Sequence, residues 1–174
     1  MWGNVGDCGE KCVILWRFAI NATEMRLLGN IEAKTDVKGR VFLPASFRKV
    51  LQASGEECLI LRKDVYQACL VLYPEKIWNE QMDTLRAKLN RWNPAHQQIF
   101  RQYLYDVEII TPDSSGRILI PKKYLQAVGI NQSLRFIGMG DYVEIWSVDD
   151  TEKTFISQEE FTKALESLMN QPPF

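Results

Sequence analysis

Two short stretches of this chain carry the same chemistry at the same spacing. Asp36-Val37-Lys38-Gly39-Arg40-Val41-Phe42-Leu43-Pro44 recurs 77 residues later as Asp113-Ser114-Ser115-Gly116-Arg117-Ile118-Leu119-Ile120-Pro121. In each, a carboxylate and a guanidinium stand four residues apart with a glycine between them. Asp opens a turn there, because its carboxylate can accept bonds from backbone N–H groups two residues on. Gly39 and Gly116 supply the positive φ that closes many short hairpin loops. Arg restarts a strand, three apolar residues follow, and Pro fits the first turn of a helix, where its missing N–H is harmless.

Two duties are open to these residues. In the structural one, Asp36 and Asp113 organise their loops, and Arg40 and Arg117 pair with that Asp or with the Asp of the other copy. An exposed pair contributes only about 0–1 kcal/mol, although a bidentate Arg–Asp contact holds its geometry better. The other duty is electrostatic. Residues 34–49 set Lys34, Lys38, Arg40, Arg48 and Lys49 against Asp36 alone, which leaves +4 in a chain whose total is −1, and hence −5 elsewhere. The second copy is less basic: Arg117, Lys122 and Lys123 against Asp113 leave +2. Basic side chains gathered on a strand–turn face are the footprint expected for DNA phosphates, and a β-ribbon can enter a major groove.

Other chemistry is sparsely represented. The cysteines are Cys8, Cys12, Cys58 and Cys69, none in a C-x-x-C pair, and the one histidine is His96. They do not assemble a zinc ligand set, and they read as ordinary thiols of a reducing compartment, with Cys58 and Cys69 in the core. His96 lies near a helix start with no motif around it and reads as a surface or packing residue. No phosphate-binding loop, dinucleotide fingerprint, zinc-protease motif or nucleophile elbow is present, so neither an enzyme nor a cofactor is expected. Gly138-Met139-Gly140 is a lone G-x-G and reads as a hairpin turn. Hydrophobic residues are 46% and charged residues 25%, ordinary for a globular protein, and no apolar run is long enough to span a membrane.

The elements that position the motifs follow from patterning. Strands are expected at Ile31–Thr35 and Val107–Thr111 before the two turns, and helices at Ala45–Ala53 and Lys122–Val128 after them. Strand pairs at Cys58–Leu61 with Cys69–Tyr73, and Leu134–Ile137 with Tyr142–Trp146, complete two copies of an α+β unit, β-turn-β-α-β-β. The 174 residues thus divide into an extension (1–24), a first module (25–74), a helical linker (75–106), a second module (107–148) and a C-terminal helix and tail (149–174). In the linker, Asn93-Pro94 separates two helices. Ser157 and Glu160 form a capping-box pattern ahead of an apolar stripe, Phe161, Leu165 and Leu168, that should pack on its own module or on a neighbouring subunit. Residues 1–24 lack the pattern of a signal peptide; Met25 is the expected natural start and 171–174 a frayed tail.

Two copies of D-x-x-G-R-hydrophobic₃-P, in this order and with a helical linker and an early Gly29 before the first strand, resemble the MraZ family of bacterial regulators, whose modules are similar to the AbrB-type swapped-hairpin fold. The likeness runs from about Met25 to Met169 and leaves out residues 1–24. It implies a cytoplasmic, nucleoid-associated protein that binds double-stranded DNA at short direct repeats upstream of its own operon, the division and cell-wall gene cluster. It also implies a ring-shaped homo-oligomer, whose many loops would add avidity to weak single contacts. Carried onto this sequence, Arg40 is the foremost DNA contact, with Lys38 and Lys34 on phosphates and Arg117 next. Asp36, Gly39, Asp113 and Gly116 shape the loops. The rival expectation is an interaction ring whose basic loops serve only subunit contacts.

Overall fold

The computed structural model describes residues 26–171; the expected extension, the start at Met25, Cys8, Cys12 and the tail 172–174 lie outside them. Fourteen elements follow in chain order. They are β1 (Leu27–Lys34), β2 (Arg40–Phe42), α1 (Ala45–Ala53), β3 (Leu59–Lys63), β4 (Leu70–Pro74), α2 (Glu75–Lys88) and α3 (Pro94–Tyr105). Then come β5 (Val107–Ile110), β6 (Arg117–Leu119), α4 (Lys122–Ala127), β7 (Ser133–Gly140), β8 (Val143–Ser147), α5 (Val148–Thr154) and α6 (Gln158–Met169). The protein is α+β, and most expected elements appear with ends moved by one or two residues.

The repeats do not close separate sheets. Six antiparallel strands run in the order β1-β7-β8-β4-β3-β5, so each repeat lends its first strand to the other. β1 pairs with β7, Leu27 opposite Gly140 through Lys34 opposite Ser133, and β5 pairs with β3. The second strands, β2 and β6, leave the sheet and pair with each other as a two-stranded ribbon. The Asp–Gly turns therefore join strands that pair elsewhere, unlike simple hairpin loops. The reason is burial: Val41 and Leu43 from one repeat, and Ile118 and Ile120 from the other, all lie at 0–1% exposure under the ribbon.

Alternation along the central strands builds two cores. Leu59 and Leu61 of β3, Leu70 and Leu72 of β4, and Val143 and Ile145 of β8 face the ribbon, α1 and α4. Phe47 of α1 meets Phe136 of β7 edge to face at 6.4 Å in this larger core. The opposite residues, among them Ile60, Val71, Tyr73 and Trp146, face α2 and α3 through Trp78 and Tyr103. Strands covered on both faces read as continuous apolar runs, which is why β3 and β4 stand out in the sequence.

Several expectations are corrected. Gly29 lies inside β1, opposite Gly138, because β1 begins at Leu27 to follow the whole length of β7. Gly138 is accordingly a strand residue; the turn lies after it, where the Met139 N–H donates to the Tyr142 carbonyl at 2.9 Å. Cys58 precedes β3 and is only half-buried, donating its thiol to Glu75 at 2.9 Å, whereas Cys69 is fully buried. His96 accepts the Asn90 N–H at Nδ1 (2.9 Å), which ties the interhelical turn to α3. The C-terminal region holds two helices. α5 packs on β7 and β8; α6 has the expected capping box, and Phe161, Leu165 and Leu168 are exposed, so of the two packings expected for this stripe the one on its own module is not adopted.

Gly138 gives a direct test of the strand exchange. A Cβ there would overlap the Leu27 carbonyl on the neighbouring strand. Gly138→Ala should destabilise the fold by about 1–3 kcal/mol, the usual cost of overpacking, read as a lower denaturant midpoint. An unchanged midpoint would show that β1 is not held against β7.

Candidate nucleic-acid interface

The two motif loops are built alike. In the first, Asp36 Oδ1 accepts the N–H groups of Lys38 (2.8 Å) and Arg40 (2.9 Å). Asp36 Oδ2 accepts Arg40 Nε–H at 2.6 Å. The backbone closes the turn with Gly39 N–H to the Asp36 carbonyl (3.0 Å) and Asp36 N–H to the Arg40 carbonyl (2.9 Å). In the second, Asp113 Oδ1 accepts from Ser115 and Arg117, both at 2.9 Å, and Oδ2 accepts Arg117 Nε–H at 2.8 Å. Of the two ion-pair arrangements open in the sequence, each Arg thus takes the Asp of its own loop. The donated Arg40 backbone N–H is the main cause that lowers the Asp36 carboxyl to about 2; desolvation opposes it, and the Arg40 side chain and the Lys38 N–H add to the lowering. Asp113 is lowered for the same reason by Arg117.

Each loop is locked to the other repeat through its glycine. Gly39 has φ +87°, accepts the Ile120 N–H at 2.9 Å, and leaves no room for a Cβ beside the Ile120 carbonyl. Gly116 (φ +77°) accepts the Leu43 N–H at 3.0 Å. The loops therefore stand at opposite ends of the ribbon, roughly 13 Å apart at about 3.3 Å per residue.

The ribbon has two unlike faces. Val41 and Ile118 are buried. Pairing sets Arg40 opposite Leu119 and Phe42 opposite Arg117, so these four side chains share the outer face. Phe42 and Leu119 are 60% and 51% exposed, and the Arg117 guanidinium lies over the Phe42 ring at 5.9 Å. Exposed Lys38 is on the first loop, and exposed Lys34 ends β1 just before it. The structure thus brings Arg40 and Arg117 onto one surface, with Lys34 and Lys38 beside the first loop.

Three contributors escaped the motif reading. Phe42 and Leu119 lie in the apolar triplets that follow each Arg; their signal is the alternation that exposes the middle member of each triplet. Arg48 was counted with the first copy. It projects from α1 against Gly116 of the second loop, with Nε buried and without a hydrogen-bond partner. Strand exchange moves this cation to the loop with fewer of its own. Lys123, by contrast, is turned to Glu108 at 3.5 Å and to the Tyr124 ring. Among the described residues no cluster of His, Cys, Asp and Glu could hold a metal, and no helix is long and apolar enough to cross a membrane.

A duplicated α+β unit with exchanged strands, presenting two Asp–Arg loops on one ribbon, is a swapped-hairpin module of the AbrB-like class. The family described as "MraZ protein, putative antitoxin-like" matches residues 27–102 and 107–171, and the chain belongs to the MraZ family. The chain is 65% identical over 145 residues to "Transcriptional regulator MraZ" of Phocaeicola vulgatus, covering 83% of this chain and 94% of that protein. Its likeness to the protein of the same name from Bacteroides thetaiotaomicron is 59% over 146 residues, covering 84% and 94%. That of Christiangramia forsetii is 31% identical over 151 residues, covering 86% and 97%.

The Asp36 carboxyl offers a check on the loop. Its folded value lies below the ordinary value near 4, so the stability it adds is present above that value and lost as pH falls through about 2. Wild type should therefore have a higher Tm than Asp36→Asn at neutral pH, with the gap closing on acidification. A gap that persists to the lowest pH at which both fold would mean that the ionised carboxylate is not what holds the turn.

Proposed function

We propose that this chain is a sequence-specific, DNA-binding transcriptional regulator without catalytic activity. It acts in the cytoplasm, associated with the nucleoid, on short direct repeats upstream of its own operon, the division and cell-wall gene cluster. The observation that carries this reading is the common outer face of Arg40 and Arg117 on a narrow ribbon. Relatives with more than half of the aligned residues identical carry the name of a transcriptional regulator, which supports the same reading.

The mechanism follows from the loop geometry. Asp36 and Asp113 engage the Nε side of each guanidinium, so its remaining N–H groups are aimed before DNA arrives. A fixed fork loses little conformational entropy on binding and can grip a phosphate or the O6/N7 edge of guanine. Lys34 and Lys38 add phosphate contacts beside the first loop. Phe42 and Leu119 offer apolar surface of the kind that meets a thymine methyl group. A major groove is about 12 Å wide and admits a two-stranded ribbon.

The net charge of −1 makes a single copy a weak ligand for DNA. A ring-shaped homo-oligomer offers the needed avidity, and the uncovered stripe Phe161, Leu165 and Leu168 on α6 supports self-association. The same stripe favours the second reading, an interaction ring whose modules bind protein.

Fluorescence anisotropy separates the two. The full chain should prefer duplex from upstream of its own gene over a scrambled duplex, and added salt should weaken binding steeply. Arg40→Ala should weaken it by about tenfold or more, the loss of a good bidentate contact. Equal binding to both duplexes, or an indifferent Arg40→Ala, would favour the interaction ring.

A further inference from the structure

The second core contains a cation with no counter-charge among the described residues. Arg62 is the fourth residue of β3, and alternation turns it with Ile60 toward α2 and α3. It is 7% exposed. Its Nε–H donates to the Lys63 carbonyl at 3.1 Å, and its guanidinium carbon lies 3.9 Å from the centre of the Tyr103 ring. Tyr103 is itself stacked on Trp78 at 5.6 Å. Among the described residues no carboxylate comes within ion-pair distance of Arg62. Asp64, two residues on, accepts the N–H groups of Tyr66 (2.8 Å) and Gln67 (2.7 Å) at Oδ1.

Most of the Arg62 side chain is covered, but its guanidinium forms part of the wall of an open cleft, so its charge is free to meet an anion there. Stacking on Tyr103 satisfies its face only. The N–H donors lie in the guanidinium plane, and the Nη donors have no acceptor among the described residues. Beside them opens a cleft of about 670 Å³ between α3 and the β3–β4 connection. Val65, Ile99 and Tyr103 give it apolar walls, and Gln98 and Gln102, one helical turn apart, line it with amides that have no partner of their own among the described residues. Its volume is that of an ordinary small-molecule site, apolar with a few placed polar groups.

We propose that this cleft binds a small organic monocarboxylate with an apolar or aromatic body. The carboxylate would lie in the plane of the Arg62 guanidinium and take two N–H bonds from it, the geometry this pair favours. The body would lie between Val65 and Ile99, with Gln98 and Gln102 reaching its polar substituents. Asp64 and Asp106 also line the cleft. With Lys63 also on the lining, two cations meet two carboxylates, so the cleft has no surplus of positive charge for phosphate or other polyanions, and a single carboxylate is the better fit. The site lies on the sheet face away from the ribbon and does not depend on DNA recognition.

The test uses the full chain and benzoate as the probe, with benzamide and inorganic phosphate as comparison ligands. Titration calorimetry should give saturable benzoate binding, one per chain, with Kd on the order of a millimolar or tighter for so small a ligand. Benzoate should also raise the Tm, by linkage to the folded state. Benzamide and phosphate should bind at least tenfold more weakly. Arg62→Met should abolish benzoate binding. If it does not fold, Arg62→Lys, which keeps the charge without the fork, and Ile99→Asp, on the exposed wall, should each weaken binding at least tenfold. Absence of saturable benzoate binding, benzamide binding equal to benzoate, or full binding by the folded variants would each overturn the proposal.

Discussion

The antiparallel pairing of β2 with β6 is only three residues long, yet the core and the loops both depend on it. Its inner side chains, Val41 and Ile118, continue through Leu43 and Ile120 into the larger core. Burying each such side chain is worth about 1.5–3 kcal/mol. Neither repeat can make that contact alone, because a three-residue strand with no partner buries its apolar side and leaves its backbone unpaired. Once β2 and β6 pair, the first strand of each repeat is carried across to the other. The glycine carbonyls of both loops then fall on the same ladder, accepting from Ile120 and Leu43. The positions of the two Asp–Arg loops are thus a consequence of core closure.

Within each loop, charge and geometry pull in different directions. Pairing Arg with Asp cancels the charge of that Arg, which removes its share of any long-range attraction for phosphate. The same pairing fixes the direction of the arginine side chain. Both pairs are about one-third exposed, so solvent screens them and each adds little to stability. Their value lies in orientation: a carboxylate that already accepts two backbone N–H bonds is a rigid anchor for Nε. The cations beside the loops without a counter-charge among the described residues are Lys34 and Lys38 at one loop and Arg48 at the other.

The sequence made the local grammar legible and left the pairing hidden. Asp, Gly and Pro each impose a conformation on their own few residues, so both turns and the helices after them could be placed from spacing alone. Strand partners are set by contacts far apart in the chain. Nothing near Ile31 tells that β1 runs on back to Leu27 to lie along β7, and Gly29 and Gly138 acquire meaning only as cross-strand partners. The same cause misassigned Arg48: charge was summed along the chain, and strand exchange redistributes it between the repeats. Cys58 was misjudged because Cys58–Leu61 reads as one apolar run, while the strand begins a residue later and leaves the thiol facing Glu75. Arg62 did leave a signal, a cation at the same parity as Ile60 in a strand that is apolar until its last two residues.

The pseudo-symmetry of the ribbon raises a question of direction. A two-fold reader suits a palindrome, since equal half-sites then meet equal surfaces. Direct repeats have a polarity, and a perfectly symmetric ribbon could not tell one orientation from the other. This ribbon is symmetric in backbone only. At equivalent positions, 77 residues apart, Lys34 corresponds to Thr111, Val37-Lys38 to Ser114-Ser115, and Phe42 to Leu119. Beneath the loops, Leu125 packs under Gly39 where Arg48 packs under Gly116. One loop therefore carries its cations at the tip and the other carries one at its base. The backbone sets two guanidinium forks at a fixed spacing, and the differing side chains around them give that pair of forks a front and a back. Duplication within one chain makes such a polarity possible, since a homodimer of single modules would have to repeat every substitution on both sides.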